Sequence, residues 1–303
     1  MEYRADRYMR DASIEAIERR SQDICNNLLN VSQNGQLTPG NVGDARSLFW
    51  WRMITHLLEE LAIRNIFYGS IKLMLPEQFP WISHPNPPRG IRILGKHKIG
   101  PNEIVRLGQK EHIKDAINYG RFRISPAAKY DDPSLNRAIQ DDELSVTAIR
   151  SGDAAVIHAF DPVTGTQGEA IPAIGEIQFS RQMQDNFYVI CMTAGYEPRL
   201  LDDFGYDAML VIKNVNRFIT RIEKAVKKVR PDLVMAGNVV NYYDPYRAKP
   251  DDLDPFYAKN FKYAYQREYR LIWHTPGLAL DSDPFFVEIG PMQDIASVHV
   301  LRE

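Results

Sequence analysis

The apolar residues of the first 70 positions recur at intervals of three or four residues, which is the period of an amphipathic helix. This spacing predicts two helices, the second of them running from about Ser47 to Tyr68. The segment 79–90, FPWISHPNPPRG, is rich in proline and cannot continue a helix. The pattern therefore predicts a helical N-terminal region over residues 1–90 and a second domain over residues 91–303.

Beyond the proline-rich segment, short apolar runs alternate with turn residues, as is typical of strands. Two stretches have helical spacing instead: QKEHIKDAINYG at 109–120, and the segment that begins at Asn216 and ends before Pro231. Many strands with few helices out of regular alternation indicate an α+β fold with a mixed, mostly antiparallel sheet. The strand candidates are NEIVRLG, RFRIS, DAAVIHAF, GEIQFS, NFYVICMT, DAMLVIK, DLVMAGNVVNYY, YQREYRLIW, FFVEIG and SVHVL.

One of these candidates, YQREYRLIW at 265–273, has an unusual polar face. Read as a strand, its alternation puts Gln266, Glu268 and Arg270 on one face and mostly aromatic residues on the other. Such a face is either exposed to solvent or lines a cleft in which the carboxylate takes part in binding or catalysis.

Composition and charge narrow the class of protein. The chain of 303 residues is 44% hydrophobic and 25% charged, as in an ordinary globular protein. Its formal net charge of −2 provides no general attraction to nucleic acid or to an anionic membrane, so such binding needs a local patch. The two cysteines favour a reducing compartment. The charged start is unlike a signal peptide and no stretch reaches the length of a membrane span, so we expect a cytoplasmic protein without a membrane partner.

An acidic loop, YDDPSLNRAIQDDEL at 130–144, offers a first candidate chemistry. Converging carboxylates can hold the hard cations of a metal-dependent nuclease. The same residue pairs are ordinary turn and cap signals, which favours a structural role and no metal site. The acidic residues are Asp131, Asp132, Asp141, Asp142 and Glu143.

Three strand candidates carry a second set of polar residues. Arg106 lies among apolar residues in EIVRLG, Thr193 ends VICMT before a glycine loop, and Gln266-x-Glu268 begins the polar face described above. A guanidinium on an apolar strand is costly unless an anion meets it. In this order the set resembles the Arg / Ser-Thr / Gln-x-Glu signature of ADP-ribosyltransferases.

The resemblance implies NAD as a substrate and a role for each residue. Arg106, or alternatively Arg123 in RFRIS, would hold the pyrophosphate, and Thr193 would orient the nicotinamide ribose. Glu268 would stabilise the oxocarbenium-like charge that forms as nicotinamide leaves, and Gln266 would position the acceptor. Tyr130 is a further candidate for contact with NAD, and no metal is required.

A wider resemblance covers residues 103–273 and points to a widespread uncharacterised bacterial domain. Asp132 in YDDPSLN matches an Asn-Asp-Pro-Phe-type motif of that family, although its neighbours do not. The order of elements is also similar to that of ADP-ribosyltransferase-like toxins, whose first strand often has histidine where Arg106 stands.

The two resemblances imply a bacterial toxin or phage-defence effector that modifies nucleic acid, with RNA favoured, or protein. The N-terminal helices would then dock an antitoxin, a chaperone or the target. Phe49, Trp50 and Trp51 form either part of a core or an aromatic patch for such a partner. The alternative to an enzyme is a non-catalytic binding module of a defence or toxin–antitoxin system.

Overall fold

A computed structural model describes residues 2–31, 36–72, 99–154, 156–275 and 283–300 of the chain. The helices in these ranges are α1 (Glu2–Ala5), α2 (Ile14–Leu28), α3 (Ala45–Ile63), α4 (Lys110–Tyr119), α5 (Leu200–Asp203) and α6 (Val215–Val229). The strands are β1 (Leu29–Val31), β2 (Leu37–Pro39), β3 (Ile104–Gly108), β4 (Arg121–Pro126), β5 (Ser145–Ser151), β6 (Ile157–Asp161), β7 (Thr166–Ile171), β8 (Glu176–Gln182), β9 (Tyr188–Thr193), β10 (Ala208–Ile212), β11 (Val234–Val239), β12 (Asn241–Tyr243), β13 (Ala258–Asn260), β14 (Glu268–His274), β15 (Phe285–Glu288) and β16 (Ala296–Val300).

The largest sheet is antiparallel throughout its described strands. Its order is β11-β14-β9-β3-β10-β16, with β4 also paired to β9 and β15 paired to β4. The described residues also form four two-stranded sheets, of which β12–β13 is parallel. The prediction of an α+β fold with a mostly antiparallel sheet is confirmed, but the largest sheet is not mixed, since the parallel pair β12–β13 forms a separate sheet.

Helices α4 and α6 cover one face of this sheet. The Asn214 side chain caps α6 by accepting the Arg217 main-chain NH, and Phe218, Ile222 and Val226 are then buried against the sheet. Helix α4 ends at Gly120, whose φ of 66° is in the left-handed region that favours glycine. The helix predicted between Asn216 and Pro231 is confirmed as α6, and its N-cap, Asn214, lies two residues before the predicted start.

Strand β9 changes its neighbour along one side. It pairs with β4 at Tyr188 and Val189 and with β3 at Thr193. Between these points, no described strand pairs with residues 190–192 on this side. The sheet therefore opens between β3 and β4. The main-chain polar groups of residues 190–192 that face this opening can hydrogen-bond to side chains.

The N-terminal helices pack onto the remainder of the chain. Their apolar residues share a core cluster with Tyr246 and Phe261, and Arg20 makes a two-pronged ion pair with Asp244 at 2.8 and 2.6 Å. The predicted boundary at 79–90 lies outside the described residues. Within the described ranges, no helix is long and apolar enough to cross a membrane.

Helix α3 is anchored by a carboxylate with no exposed surface. Glu60 accepts hydrogen bonds from Tyr3 at 2.5 Å, from Arg7 at 2.7 and 2.8 Å, and from Arg64 at 2.5 Å. Burial alone would raise the pKa of Glu60, but these partners outweigh burial and lower the pKa to about 2. The helix ends at Ile63, five residues before the predicted Tyr68, and a 3₁₀ turn covers Tyr68–Ser70.

The strand predicted over 265–273 begins three residues later than expected. Residues Phe261–Gln266 form 3₁₀ turns, Arg267 has a φ of 50°, and β14 starts at Glu268. The prediction was wrong for the first three residues because a left-handed residue interrupts the alternation. From Glu268 onward the alternation holds, and Glu268 and Arg270 are both buried.

Candidate functional site

Four charged side chains form a closed ring beneath the start of β14. The Arg270 Nε donates to Glu268 Oε1 at 2.7 Å, and Lys259 Nζ donates to Glu268 Oε2 at 3.0 Å. The same two cations bind Glu143, with Lys259 Nζ at 3.0 Å from Glu143 Oε1 and Arg270 Nη2 donating to Oε2. We call Glu143, Lys259, Glu268 and Arg270 the charged ring. Its formal charge is zero.

The ring is shielded from water. Arg270 is completely buried, and the other three members are 5% exposed. Burial alone would raise the pKa of Glu268, but Arg270 and Lys259 outweigh burial and hold the pKa well below its usual value. Burial lowers the pKa of Lys259, and Glu143 and Glu268 reverse that effect, so the pKa is raised well above its usual value. Glu268 is therefore a buried carboxylate that stays ionised.

A cavity of about 100 Å³ lies against Glu268 and brings most of the predicted site residues together. Gln266 and Glu268 line it from one side, and Thr193 lies opposite Glu268 in the β14–β9 register. Arg106 and Tyr130 complete the set. These five residues come from four separate stretches of the chain, and folding places them around one space.

Arg106 reaches this cavity through the opening in the sheet. Its Nη1 donates to the main-chain oxygen of Cys191 at 2.5 Å, within the part of β9 that lies between β3 and β4. Arg106 thus donates a hydrogen bond to a main-chain oxygen that has no partner from a described strand on this side. The cost of a guanidinium on an apolar strand is offset here by a carbonyl, not by a carboxylate.

The remaining candidates bind main-chain groups. The Thr193 Oγ1 donates to the Gly195 oxygen at 3.0 Å, and Gln266 Nε2 donates to the Ala138 oxygen at 2.7 Å. Burial raises the pKa of Tyr130, which keeps its hydroxyl protonated at neutral pH. The Thr193 and Gln266 side chains are therefore held in place before any ligand arrives.

Arg123 lies outside this arrangement. It is exposed on β4, where its register partner is Phe286 of β15, and it does not line the Glu268 cavity. Of the two arginines that the sequence offered for the pyrophosphate, Arg106 is the one beside Glu268.

The acidic loop contributes carboxylates that pair with cationic side chains of the site. Asp132 and Asp142 accept main-chain NH groups two residues further along the chain, as turn residues do. Glu143 belongs to the charged ring, and Asp141 lies 3.5 Å from Lys259. Among the described residues, no group of three or more His, Cys, Asp or Glu side chains is arranged to hold a metal ion.

A larger cavity of about 700 Å³ adjoins the small one, and the two share Ala138 and Lys259. Its wall combines residues of helix α2, the acidic loop and the turns before β14. Arg137, Lys262 and Tyr263 line it, and the Lys259 ammonium lies 4.8 Å from the Tyr263 ring centroid. Lys259 therefore stands between the two spaces.

Sequence reasoning missed the role of Lys259. It lies in the three-residue strand β13 within an ordinary polar context, YAKN, which carries no recognisable motif. Glu143 was noticed only as a possible metal ligand. The one signal in the sequence was the Glu268-x-Arg270 alternation on β14, since two charges on a strand of apolar neighbours require buried partners.

Comparisons of the chain with protein-family models, with curated proteins and with solved structures found no match.

Proposed function

We propose that this protein is an NAD-dependent ADP-ribosyltransferase whose reactive centre is the Glu268 cavity. The observation that carries the proposal is the state of Glu268: a buried carboxylate, kept ionised, beside a cavity that Gln266, Thr193 and Arg106 also line. A fixed negative charge in a site of low dielectric stabilises positive charge that develops on a ribose as nicotinamide leaves.

The neighbours of Glu268 support distinct roles. Thr193 has a hydroxyl close to the start of β14 and would orient the nicotinamide ribose. Gln266 donates to a main-chain oxygen through its amide nitrogen, so its amide oxygen remains to accept a hydrogen bond from an acceptor group. Arg106 supplies a permanent positive charge for a phosphate.

The sizes of the two cavities support a position for NAD that spans both. The Glu268 cavity, at about 100 Å³, is smaller than the roughly 300 Å³ of a typical ligand pocket. The adjoining cavity of about 700 Å³ is large enough for the remainder of a dinucleotide. In this arrangement Lys259 moves aside or binds the phosphates. Arg137 and Lys262 offset part of the negative charge of the six aspartates that also line the larger cavity.

One observation favours the second candidate, a non-catalytic binding module. Both carboxylate oxygens of Glu268 already have cationic partners, so the charged ring is complete without a ligand. A ring of this kind also fixes the packing of β13, β14 and the acidic loop. Catalysis requires that substrate binding exchange at least one of these partners.

Transfer of label from NAD to cell components separates the two candidates. The purified protein is incubated with NAD labelled in its adenylate part and with a cell extract pretreated with RNase, DNase or protease. ADP-ribosyl transfer predicts labelled product that one pretreatment abolishes, which also identifies the acceptor class as RNA, DNA or protein. A binding module transfers no label under any pretreatment, and a nuclease degrades RNA or DNA without consuming NAD.

A growth assay provides an independent readout. An enzyme that modifies nucleic acid or an essential protein should arrest bacteria that express it alone, and the Glu268→Gln variant should not. Equal growth of cells expressing either form at matched protein levels would favour the binding module.

A further inference from the structure

Arg267, between Gln266 and Glu268 in the chain, lines a different cavity of about 410 Å³. We call this space the arginine–aromatic pocket; its principal walls are Arg46, Phe49, Trp50, Tyr242, Phe261 and Arg267. The Tyr242 hydroxyl accepts the main-chain NH of Glu268 at 2.7 Å. The pocket therefore borders the first residue of β14 while remaining separate from the Glu268 cavity.

The two arginines of the pocket have positive charge that the described residues leave largely uncompensated. Neither guanidinium has a hydrogen bond or an ion pair within the described part of the chain, in contrast to Arg270 of the charged ring. Burial lowers the pKa of Arg46 below its usual value, Glu197 opposes this effect, and the like charge of Arg267 adds to it. Burial also raises the pKa of Glu197, which weakens its negative charge, and Asp44 is a second acidic group near Arg46.

Phe49 is the most exposed of the aromatic walls, since Trp50 and Phe261 are only 3% and 4% exposed. The rings of Trp50 and Phe261 are stacked with centroids 5.7 Å apart and an angle of 22° between their planes. Phe49 stands edge-on to Trp50 at 4.9 Å and is 39% exposed. Of the aromatic trio in the sequence, Trp50 thus belongs to the core, whereas Phe49 remains at the surface of the pocket.

The main chain holds Arg267 in place. Its φ of 50° is in the left-handed region, and its carbonyl accepts the Ala194 NH at 2.7 Å. Gly195, with a φ of 108°, leaves room for the guanidinium, since a Cβ at Gly195 would lie 2.8 Å from Arg267 Nη1. A strained residue that is fixed in this way is typical of functional sites.

We propose that the arginine–aromatic pocket binds a nucleoside 5′-phosphate, with the base against the aromatic rings and the phosphate between Arg46 and Arg267. Planar bases stack on aromatic side chains at roughly 1–3 kcal/mol per base, and arginine binds phosphate in a two-pronged geometry. The volume of about 410 Å³ falls within the range of ligand pockets. This proposal concerns binding alone and does not rest on ADP-ribosyl transfer.

Isothermal titration calorimetry with adenosine 5′-monophosphate tests the proposal. The variants are Arg46→Gln and Arg267→Asn, since asparagine tolerates the left-handed conformation of Arg267. The matched control is Arg52→Gln, an exposed arginine on the same helix α3 as Arg46 but outside the pocket. We expect each pocket variant to weaken binding at least tenfold and the control to change it less than twofold. Adenosine and inorganic phosphate should each bind at least tenfold more weakly than the intact nucleotide.

The nucleotide could be free or could be part of a nucleic-acid strand. A single-stranded oligonucleotide of five nucleotides distinguishes these two sources. Binding at least tenfold tighter than that of the mononucleotide, with the same loss in the variants, identifies a strand; comparable binding identifies a free nucleotide. The absence of saturable binding by either ligand at millimolar concentration would overturn the proposal, as would equal losses in Arg52→Gln. Binding that Glu268→Gln abolishes and the two pocket variants preserve would assign the nucleotide to the Glu268 cavity and would also overturn it.

Discussion

Replacing Glu268 by glutamine tests the charged ring and the catalytic role with the same variant. The substitution keeps the shape of the side chain but leaves Arg270 and Lys259 with Glu143 as the one remaining carboxylate of the ring. The ring then has a formal charge of +1 in a buried position. In addition, Arg270 and Lys259 both donate to Glu268, so one of these donors would face the amide NH₂ group of glutamine.

The expected loss of stability follows from the burial of the ring. Removing one partner of a buried ion pair costs about 3–5 kcal/mol, because the other charge stays buried without compensation. An exposed pair would cost under about 1 kcal/mol. Glu268 is 5% exposed and Arg270 is completely buried, so we expect the larger value, which is a substantial part of the roughly 5–15 kcal/mol that stabilises a typical domain.

Urea unfolding of the wild type, Glu268→Gln and Glu143→Gln measures this loss. Glu143→Gln is the matched control because it removes one charge from the same ring through the same two cations. Burial raises the pKa of Glu143 in spite of the two cations, whereas the pKa of Glu268 is lowered. We therefore expect a smaller loss of unfolding free energy in Glu143→Gln than in Glu268→Gln, at an unchanged dependence on urea concentration. A loss below about 1 kcal/mol in Glu268→Gln would refute the conclusion that the ring is buried and closed.

The same pair of variants separates stability from chemistry. At a temperature where both are folded, the proposed function predicts that Glu268→Gln loses at least about a hundredfold in NAD turnover. Glu143→Gln should retain more activity, since its carboxylate neutralises the cations rather than the ribose. Equal losses of NAD turnover in both variants would favour a purely structural role for the charged ring.

Three further predictions concern single positions. Gln266→Ala should reduce transfer to the acceptor while slow NAD hydrolysis continues, because only acceptor placement is lost; parallel loss of both activities would contradict this role. Because the pKa of Glu60 is lowered to about 2 in the folded protein, its stabilising effect is present above about pH 4.5 and is lost as the pH falls towards 2; the Tm gap between wild type and Glu60→Gln should narrow over that range, and a constant gap would contradict it. Gly120→Ala should cost more unfolding free energy than Gly165→Ala, since both positions have positive φ but only a Cβ at Gly120 would meet the Gly290 oxygen at 2.2 Å; equal costs would show that the close approach is unimportant.

Much of the fold follows from local pattern in the sequence. The stripe that predicts α6 and the alternation in β14 from Glu268 onward both depend on contacts between near neighbours in the chain. Strand β7 was missed because it is exposed along its whole length. A solvated hairpin strand has no apolar face for a pattern to indicate.

The site was predictable only in part, for a different reason. Gln266 and Glu268 were chosen for their spacing, although Gln266 turned out to precede the strand, where the left-handed Arg267 separates the two. Lys259 and Glu143 lie 116 positions apart in sequence and meet at 3.0 Å. Contacts between residues so far apart in sequence depend on the topology of the whole domain, which local sequence patterns do not reveal.

Release of nicotinamide from NAD by the purified protein, in the presence of EDTA, tests the central claim most directly. The proposed mechanism uses Glu268 and no cation, so we predict release by the wild type that persists under chelation. A folded Glu268→Gln variant should release at least about a hundredfold less. Failure of the wild type to release nicotinamide with an acceptor extract present, or wild-type release by folded Glu268→Gln, would contradict the account.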